Sequence, residues 1–203
     1  MKIICIGRNY VKHIEELKNE MPAEPVFFLK PDTALLNKGN AFFIPGFSKE
    51  IHHEIEIVLK ICKEGKNIAK EFASRYFDMI TVGLDFTARD IQDKQKAKGL
   101  PWEPAKAFDN SAPVGEFADY QSLNNKNVIS FSLNKNGQQV QEGNSSLMIH
   151  SFSEIISYVS CYITLKKGDL IFTGTPSGVG HVQNGDILEG FLEEKMVLRV
   201  EVK

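Results

Sequence analysis

The stretch IHHEIEIVLKI, residues 51–61, constrains the chain more than any other. Its apolar residues alternate with a period of two, the signature of a β-strand with one buried face. Ile55, Ile57 and Leu59 take the core face, and His52, Glu54, Glu56 and Val58 take the other. Glu54 and Glu56 are then two carboxylates about 7 Å apart on one face with no base between them. A solvated face on an edge strand is the plain alternative. Such faces usually mix their signs, however, and like charges this close repel. A shared divalent cation removes the repulsion. A glycosidase-type pair is disfavoured, because its carboxyls flank a sugar bond from different elements.

A cation needs a third ligand. The best candidate is Asp85 in GLDFTARD, at the end of a buried strand and just before a helix, where a carboxylate also suits a helix cap. Three carboxylates without cysteine make a hard oxygen site, suited to Mg²⁺, Mn²⁺ or Ca²⁺ and open to water or a chelating substrate. His52 and His53 would suggest zinc, but neighbours on a strand face opposite ways and cannot both serve one ion.

Other segments offer chemistry of their own. In GRNYVKHIEELKNE, His13 and Glu16 stand at i and i+3 of a helix and share a face. A carboxylate beside an imidazole raises its basicity, as in a general-base pair, although such pairs are also common on helix surfaces. In KGLPWEPAKAFDNSAPVG, Pro101, Pro104 and Pro113 predict a long loop. Trp102 and Phe108 are its candidate pocket walls. Lys106 would offer an ammonium to an anionic substrate, against the ordinary reading of a solvated lysine. Arg89 falls in the first turn of its helix, where the dipole disfavours a cation, which points to a partner anion. FTGTPSGVG lacks the GxxxxGK[ST] phosphate pattern. It predicts a tight turn whose amides and Thr175 hydroxyl can hold a carboxylate.

The remaining pattern is mostly strand. KIICI, EPVFFLKP, AFFIP, MITVGLDF, DLIFTGTP and KMVLRVEVK read as strands, and VISFSLNKNGQQVQEG as a hairpin turning at Asn136-Gly137. YVKHIEELKNE, IAKEFASRYF, TARDIQDKQKAKG and SFSEIISYVS read as helices. Thr87 with Asp90, and Ser151 with Glu154, form the patterns of capping boxes. The expected class is α+β, strand-dominated. With 203 residues and no repeat or linker, the chain is expected to form a single domain, residues 1–203, able to bury a core. A net charge of −2 argues against a general nucleic-acid binder. No apolar run approaches the roughly 20 residues that cross a bilayer, and the N-terminus is too short for a signal peptide. Cys5, Cys62 and Cys161 are scattered and read as small buried apolar residues in a reducing compartment, the cytoplasm.

Taken together and in order, GRNY, HHEIEI, LDFTARDIQ, KGLPWEPAKAFD, QEGNSS, ISYVS and LKKGDLIFTGTPSGVG resemble the fumarylacetoacetate hydrolase family, in its small single-domain branch of acylpyruvate hydrolases and oxaloacetate decarboxylases. The resemblance covers nearly the whole chain. It implies a mixed β-roll with a few short helices, a homodimer, and a divalent ion, Mg²⁺ or Mn²⁺. By motif position it implies Glu54, Glu56 and Asp85 as metal ligands and Lys106 as the active-site lysine. It further implies His13 and Glu16 as a dyad on a lid covering residues 9–21, and Arg89, Gln92 and Thr175 as substrate contacts.

The resemblance implies a small keto-acid substrate. A 2,4-diketo acid would be cleaved at C3–C4, with His13 and Glu16 activating water and Lys106 stabilising the enolate, to give pyruvate and a carboxylic acid. Oxaloacetate would lose CO₂ through the same enolate, or tautomerise through it. The dyad tilts the expectation toward acylpyruvate hydrolysis. An isomerase of aromatic-degradation intermediates and a non-catalytic binding protein are the further alternatives.

Overall fold

The strand expected at residues 51–61 divides in two at Glu54: Ile51–His53 and Ile55–Ile61 belong to different sheets. The structure, a computed structural model, describes residues 1–17 and 20–203. Ile55–Ile61 lies inside a six-stranded mixed sheet. Its order is Val26–Lys30, Ile3–Gly7, Leu170–Phe172, Ile55–Ile61, Phe77–Leu84 and Ala118–Asp119. The one parallel pairing in this sheet joins Ile3–Gly7 to Leu170–Phe172, segments from opposite ends of the chain. Ile51–His53 sits instead between Thr87–Ala88 and Gly180–His181. A four-stranded antiparallel sheet, Gln138–Asn144, Ser130–Lys135, Ile187–Leu192 and Lys195–Glu201, packs against the first, and Leu35–Leu36 pairs with Ala112–Pro113. None of these sheets closes on itself.

The expected facing holds, with one correction. Ile55, Ile57, Leu59 and Ile61 enter the main core with Ile80, Val82, Phe131 and Leu198, while Val58 enters a smaller cluster with Ile3, Cys5 and Phe172. Both faces are therefore buried, and Glu54 and Glu56 lie inside the protein rather than on a solvated edge. The hairpin turns at Asn136 (φ 54°) and Gly137 (φ 78°), the two left-handed residues that a primed turn requires.

Three of the four expected helices are shorter than the pattern predicts, and the fourth, Phe152–Tyr162, runs two residues further. YVKHIEELKNE gives a helix only over Val11–Glu16, and Lys18 and Asn19 of the expected lid lie outside the described residues. IAKEFASRYF is a 3₁₀ segment, Lys70–Arg75. KGLPWEPAKAFDN is not all loop: Glu103–Lys106 forms one helical turn. The helix Phe152–Tyr162 has the expected capping box, with Ser151 and Glu154 each bonded to the other's backbone. The Thr87–Asp90 box does not form. Ala88 is the N-cap of the helix Arg89–Lys98, because Thr87 and Ala88 are engaged as a strand, and Asp90 accepts from Ser48 Oγ at 2.6 Å instead. Of the cysteines only Cys5 is buried; Cys62 is half-buried and Cys161 exposed. No helix is long and apolar enough to cross a membrane among the described residues.

Candidate metal centre and its surroundings

Register brings the carboxylates together. Ile55–Ile61 and Phe77–Leu84 run antiparallel with Ile55 opposite Leu84, so Asp85 leaves its strand where Glu54 enters, and the Asp85 N–H donates to the Glu54 carbonyl at 2.9 Å. Glu56 points to the same side two residues on. Ligand oxygens of Glu54, Glu56 and Asp85 all lie within 4.8 Å of one another, and all three residues are buried.

Buried carboxylates demand compensation, and three cations supply part of it. Lys106 Nζ donates to Glu54 Oε2 at 2.8 Å, Asp85 Oδ2 at 2.7 Å and Thr87 Oγ1 at 2.5 Å. Arg89 donates to Glu54 Oε1 and, at 2.6 Å, to Gln92 Oε1. Here is the partner anion that its place in the first turn suggests, and it belongs to the protein itself. Lys30 is wholly buried, with Nζ 2.8 Å from Asp85 Oδ1. It also donates to Ser111 Oγ at 2.8 Å and to the carbonyl of Lys106. Burial opposes the charge on Lys106, but Asp85 and Glu54 outweigh it and raise its pKa, so it stays an ammonium. Burial likewise opposes ionisation of Glu54, yet Lys106 and Arg89 hold its pKa well below the ordinary carboxylate value.

Glu56 is the exception. It accepts from the Gly174 N–H at 2.7 Å and has no cationic partner among the described residues. Burial, with Asp85 and Glu54 beside it, pushes its pKa well above the ordinary value. Asp85 Oδ1 also accepts no hydrogen bond, since Lys30 meets it outside hydrogen-bond geometry. An uncompensated carboxylate in a set of three hard oxygen donors fits a divalent cation such as Mg²⁺ or Mn²⁺. The histidines expected to face apart do so: His53 is buried against Gln141 Oε1, and His52 is partly open.

A second group of residues roofs this centre. His13 Nδ1 lies 3.4 Å from Glu16 Oε2, and both Glu16 oxygens accept from the Gly178 N–H at 3.1 and 3.2 Å. Burial lowers the His13 pKa below its ordinary 6.5, so its ring is neutral at pH 7. Gly178 has φ 96°, and a Cβ there would meet the Val140 carbonyl at 2.4 Å, so only glycine fits. GRNY and TGTP meet directly. Asn9 Nδ2 donates to the Thr173 carbonyl at 2.8 Å, and a Cβ on Gly174 would meet Asn9 Cβ at 2.6 Å. The glycine-rich turn thus does bind carboxylates through its amides, but they are Glu56 and Glu16.

The sequence reading does not single out Lys30, Arg8, Lys96 or Gln141. Gln141 lies within QEGNSS; its Oε1 accepts from the Ile55 N–H at 3.0 Å, and its Nε2 donates to Thr175 Oγ1 at 3.0 Å. Thr175 is therefore already engaged from behind. The small cavity at the centre, ≈ 30 Å³, is lined by the three carboxylates, Arg8, His13, Arg89, Gln92, Lys96, Trp102, Lys106 and Thr175. Trp102 walls it as expected. Phe108 does not; it packs on Phe42 and Phe47. A larger cavity, ≈ 420 Å³, shares no residue with this one.

The family described as "Fumarylacetoacetate (FAA) hydrolase C-terminal" matches residues 2–203. The chain is 41% identical over 201 residues to "Oxaloacetate tautomerase FAHD1, mitochondrial" of Mus musculus, covering 99% of this chain and 91% of that one. It is 42% identical over 189 residues to "Oxaloacetate decarboxylase, mitochondrial" of Dictyostelium discoideum, covering 93% and 87%. The crystal structure of fumarylpyruvate hydrolase from Pseudomonas aeruginosa in complex with Mn²⁺ and pyruvate superposes with a TM-score of 0.93 at 36% identity, covering 100% of this chain and 89% of that one.

Proposed function

Because the chain belongs to the fumarylacetoacetate hydrolase family, we propose that it is a divalent-metal-dependent enzyme that interconverts the keto and enol forms of oxaloacetate. One observation carries the reading. An ammonium that stays charged, Lys106, sits between two of three buried carboxylates, with a neutral imidazole, His13, lining the same cavity. That pairing suits a reaction in which a carbon gives up a proton while an oxygen gains negative charge.

A cation held by Glu54, Glu56 and Asp85 would supply Lewis-acid polarisation of the 2-oxo group. His13 is neutral and can take the proton from C3. The C–H electron pair becomes the C2–C3 double bond, and the carbonyl pair moves onto oxygen, where the positive charge of Lys106 stabilises it. Water protonates that oxygen, and His13 returns its proton to water, so the sum is an isomerisation. Glu16, fixed by the Gly178 amide, holds the imidazole in place. Gln92 holds the Arg89 guanidinium, and Thr175, positioned by Gln141, lines the cavity the substrate would enter. The ≈ 30 Å³ cavity takes a water or two, not a keto acid. The segment carrying His13 must therefore move for substrate to enter, as a lid does.

A second reading, acylpyruvate hydrolysis, is favoured by the 3.4 Å contact of His13 with Glu16, an arrangement that could activate water for attack at C4. Decarboxylation of oxaloacetate would share the enolate and need no such water. The homodimer remains part of the proposal, and sedimentation tests it. One experiment separates the reactions. Chelator-stripped protein is given Mg²⁺ or Mn²⁺, and oxaloacetate enol loss, pyruvate formation and acetylpyruvate cleavage are followed in parallel. Metal-dependent enol loss without matching pyruvate supports the tautomerase. Pyruvate formed in step with oxaloacetate loss replaces it with a decarboxylase. Faster acetylpyruvate cleavage replaces it with the hydrolase.

A further inference from the structure

Three carboxylates at the centre face three cations, Lys30, Lys106 and Arg89. Two more cations line the same cavity with nothing to balance them. Neither Arg8 nor Lys96 has a carboxylate within ion-pair distance among the described residues. Arg8 is held at φ 58°, a conformation that a non-glycine side chain adopts at a cost, and its Nε is buried without a hydrogen-bond partner. Lys96 shares a face of its helix with Arg89 and Gln92 at i, i+3 and i+7, and side chains on a helix lean toward its N-terminus, here toward the carboxylates. Burial lowers the Lys96 pKa, and Arg89 and Arg8 lower it further, which outweighs the opposite pull of Glu54 and Asp93. Cations crowded together around a cavity stabilise an anion placed among them.

We propose that Arg8 and Lys96 receive a second carboxylate of the substrate, beyond the keto-acid end held at Glu54, Glu56 and Asp85, and so select dicarboxylic over monocarboxylic keto acids. The inference rests on the keto-acid reading above and adds what that reading leaves open, the residues that meet the far carboxylate. Both residues act on binding, without touching the reacting atoms.

The test uses two unreactive ligands with the same chelating end. Oxamate carries one carboxylate, and N-oxalylglycine carries the same group extended by an acetate arm. Trp102 is the single tryptophan and lines the cavity, so binding to the Mg²⁺-loaded protein can be read by fluorescence. The expected result is that the unmodified protein binds N-oxalylglycine about tenfold or more tightly than oxamate, the scale of one charge-assisted hydrogen bond. Arg8→Gln and Lys96→Gln should each erase most of that ratio, and Arg8→Lys should keep part of it. The ratio is unaffected by the fraction of each variant that folds. An unmodified protein without preference, or variants that weaken both ligands equally, would overturn the proposal alone. Failure of both ligands to bind the Mg²⁺-loaded protein would overturn the keto-acid reading and this inference with it.

Discussion

Lys30 Nζ lies 2.8 Å from Asp85 Oδ1 at the bottom of the site, with both residues buried. The same nitrogen holds Ser111 Oγ at 2.8 Å and the carbonyl of Lys106, so one ammonium fixes both a candidate ligand and the backbone of Lys106. Lys30→Met leaves Asp85 buried with one cation fewer. The expected cost is about 3–5 kcal/mol, the range for breaking a buried pair from one side, read from the denaturant midpoint. Mg²⁺ should restore more stability to this variant than it adds to the unmodified protein. Equal gains would show that the ion does not meet Asp85.

Glu56 has two carboxylates for neighbours and one backbone amide for support. Glu56→Gln should leave the metal-free protein as stable or more stable, because it removes a crowded charge. It should also abolish the thermal shift with Mg²⁺. For the unmodified protein that shift corresponds to about 2.7 kcal/mol when the ion stands at roughly a hundred times its dissociation constant. A Glu56→Gln variant that still responds to Mg²⁺ would remove Glu56 from the ligand set.

His13 should govern the acid limb of the rate. Its pKa is lowered, mainly by burial, so the ring stays neutral below the ordinary 6.5 and activity is lost only as pH falls through the lowered value. The kcat/KM profile for oxaloacetate enol should therefore break below 6.5, and His13→Asn should cost roughly 10²–10⁴-fold. Glu16→Gln should diminish acetylpyruvate cleavage more than oxaloacetate turnover. Equal losses would deny Glu16 a part in activating water.

The helix Phe152–Tyr162 offers a test remote from the chemistry. Ser151→Ala should cost about 1 kcal/mol, as other N-cap losses do. Hydrogen bonds from Lys70 and Ser151 depress the Glu154 pKa to about 2. Since the folded value lies below the ordinary 4.5, the stability that Glu154 adds is present above 4.5 and is lost as pH falls toward 2. The difference in melting temperature between the unmodified protein and Glu154→Gln should narrow over that interval.

Local patterns are legible wherever the cause is local. Asn136-Gly137 announces its hairpin because few other residues tolerate two left-handed conformations in a row, and Ser151 with Glu154 announces a helix start. The pairing of Glu54 with Glu56 is readable because a strand repeats every two residues. Lys30 is not legible. A lysine closing FLKP looks like a strand end, and its burial depends on acceptors at Phe86, Lys106 and Ser111, far along the chain. Gln141 is hidden for the same reason, its partners being Ile55, Thr175 and Pro176. The Thr87–Asp90 pattern misleads because Ser48, from another segment, competes for the Asp90 carboxylate and wins.

The parallel pairing of Ile3–Gly7 with Leu170–Phe172 has a bearing on how the molecule is made. Asn9 and Glu16 emerge from the ribosome well before the Thr173–Gly178 turn that anchors them. At about 5–20 residues per second, roughly 7–28 s separate synthesis of residue 30 from that of residue 170. During that interval the nascent chain carries the roof of the site without a building beneath it. The fold closes late, when a strand made far down the chain locks an early one in place.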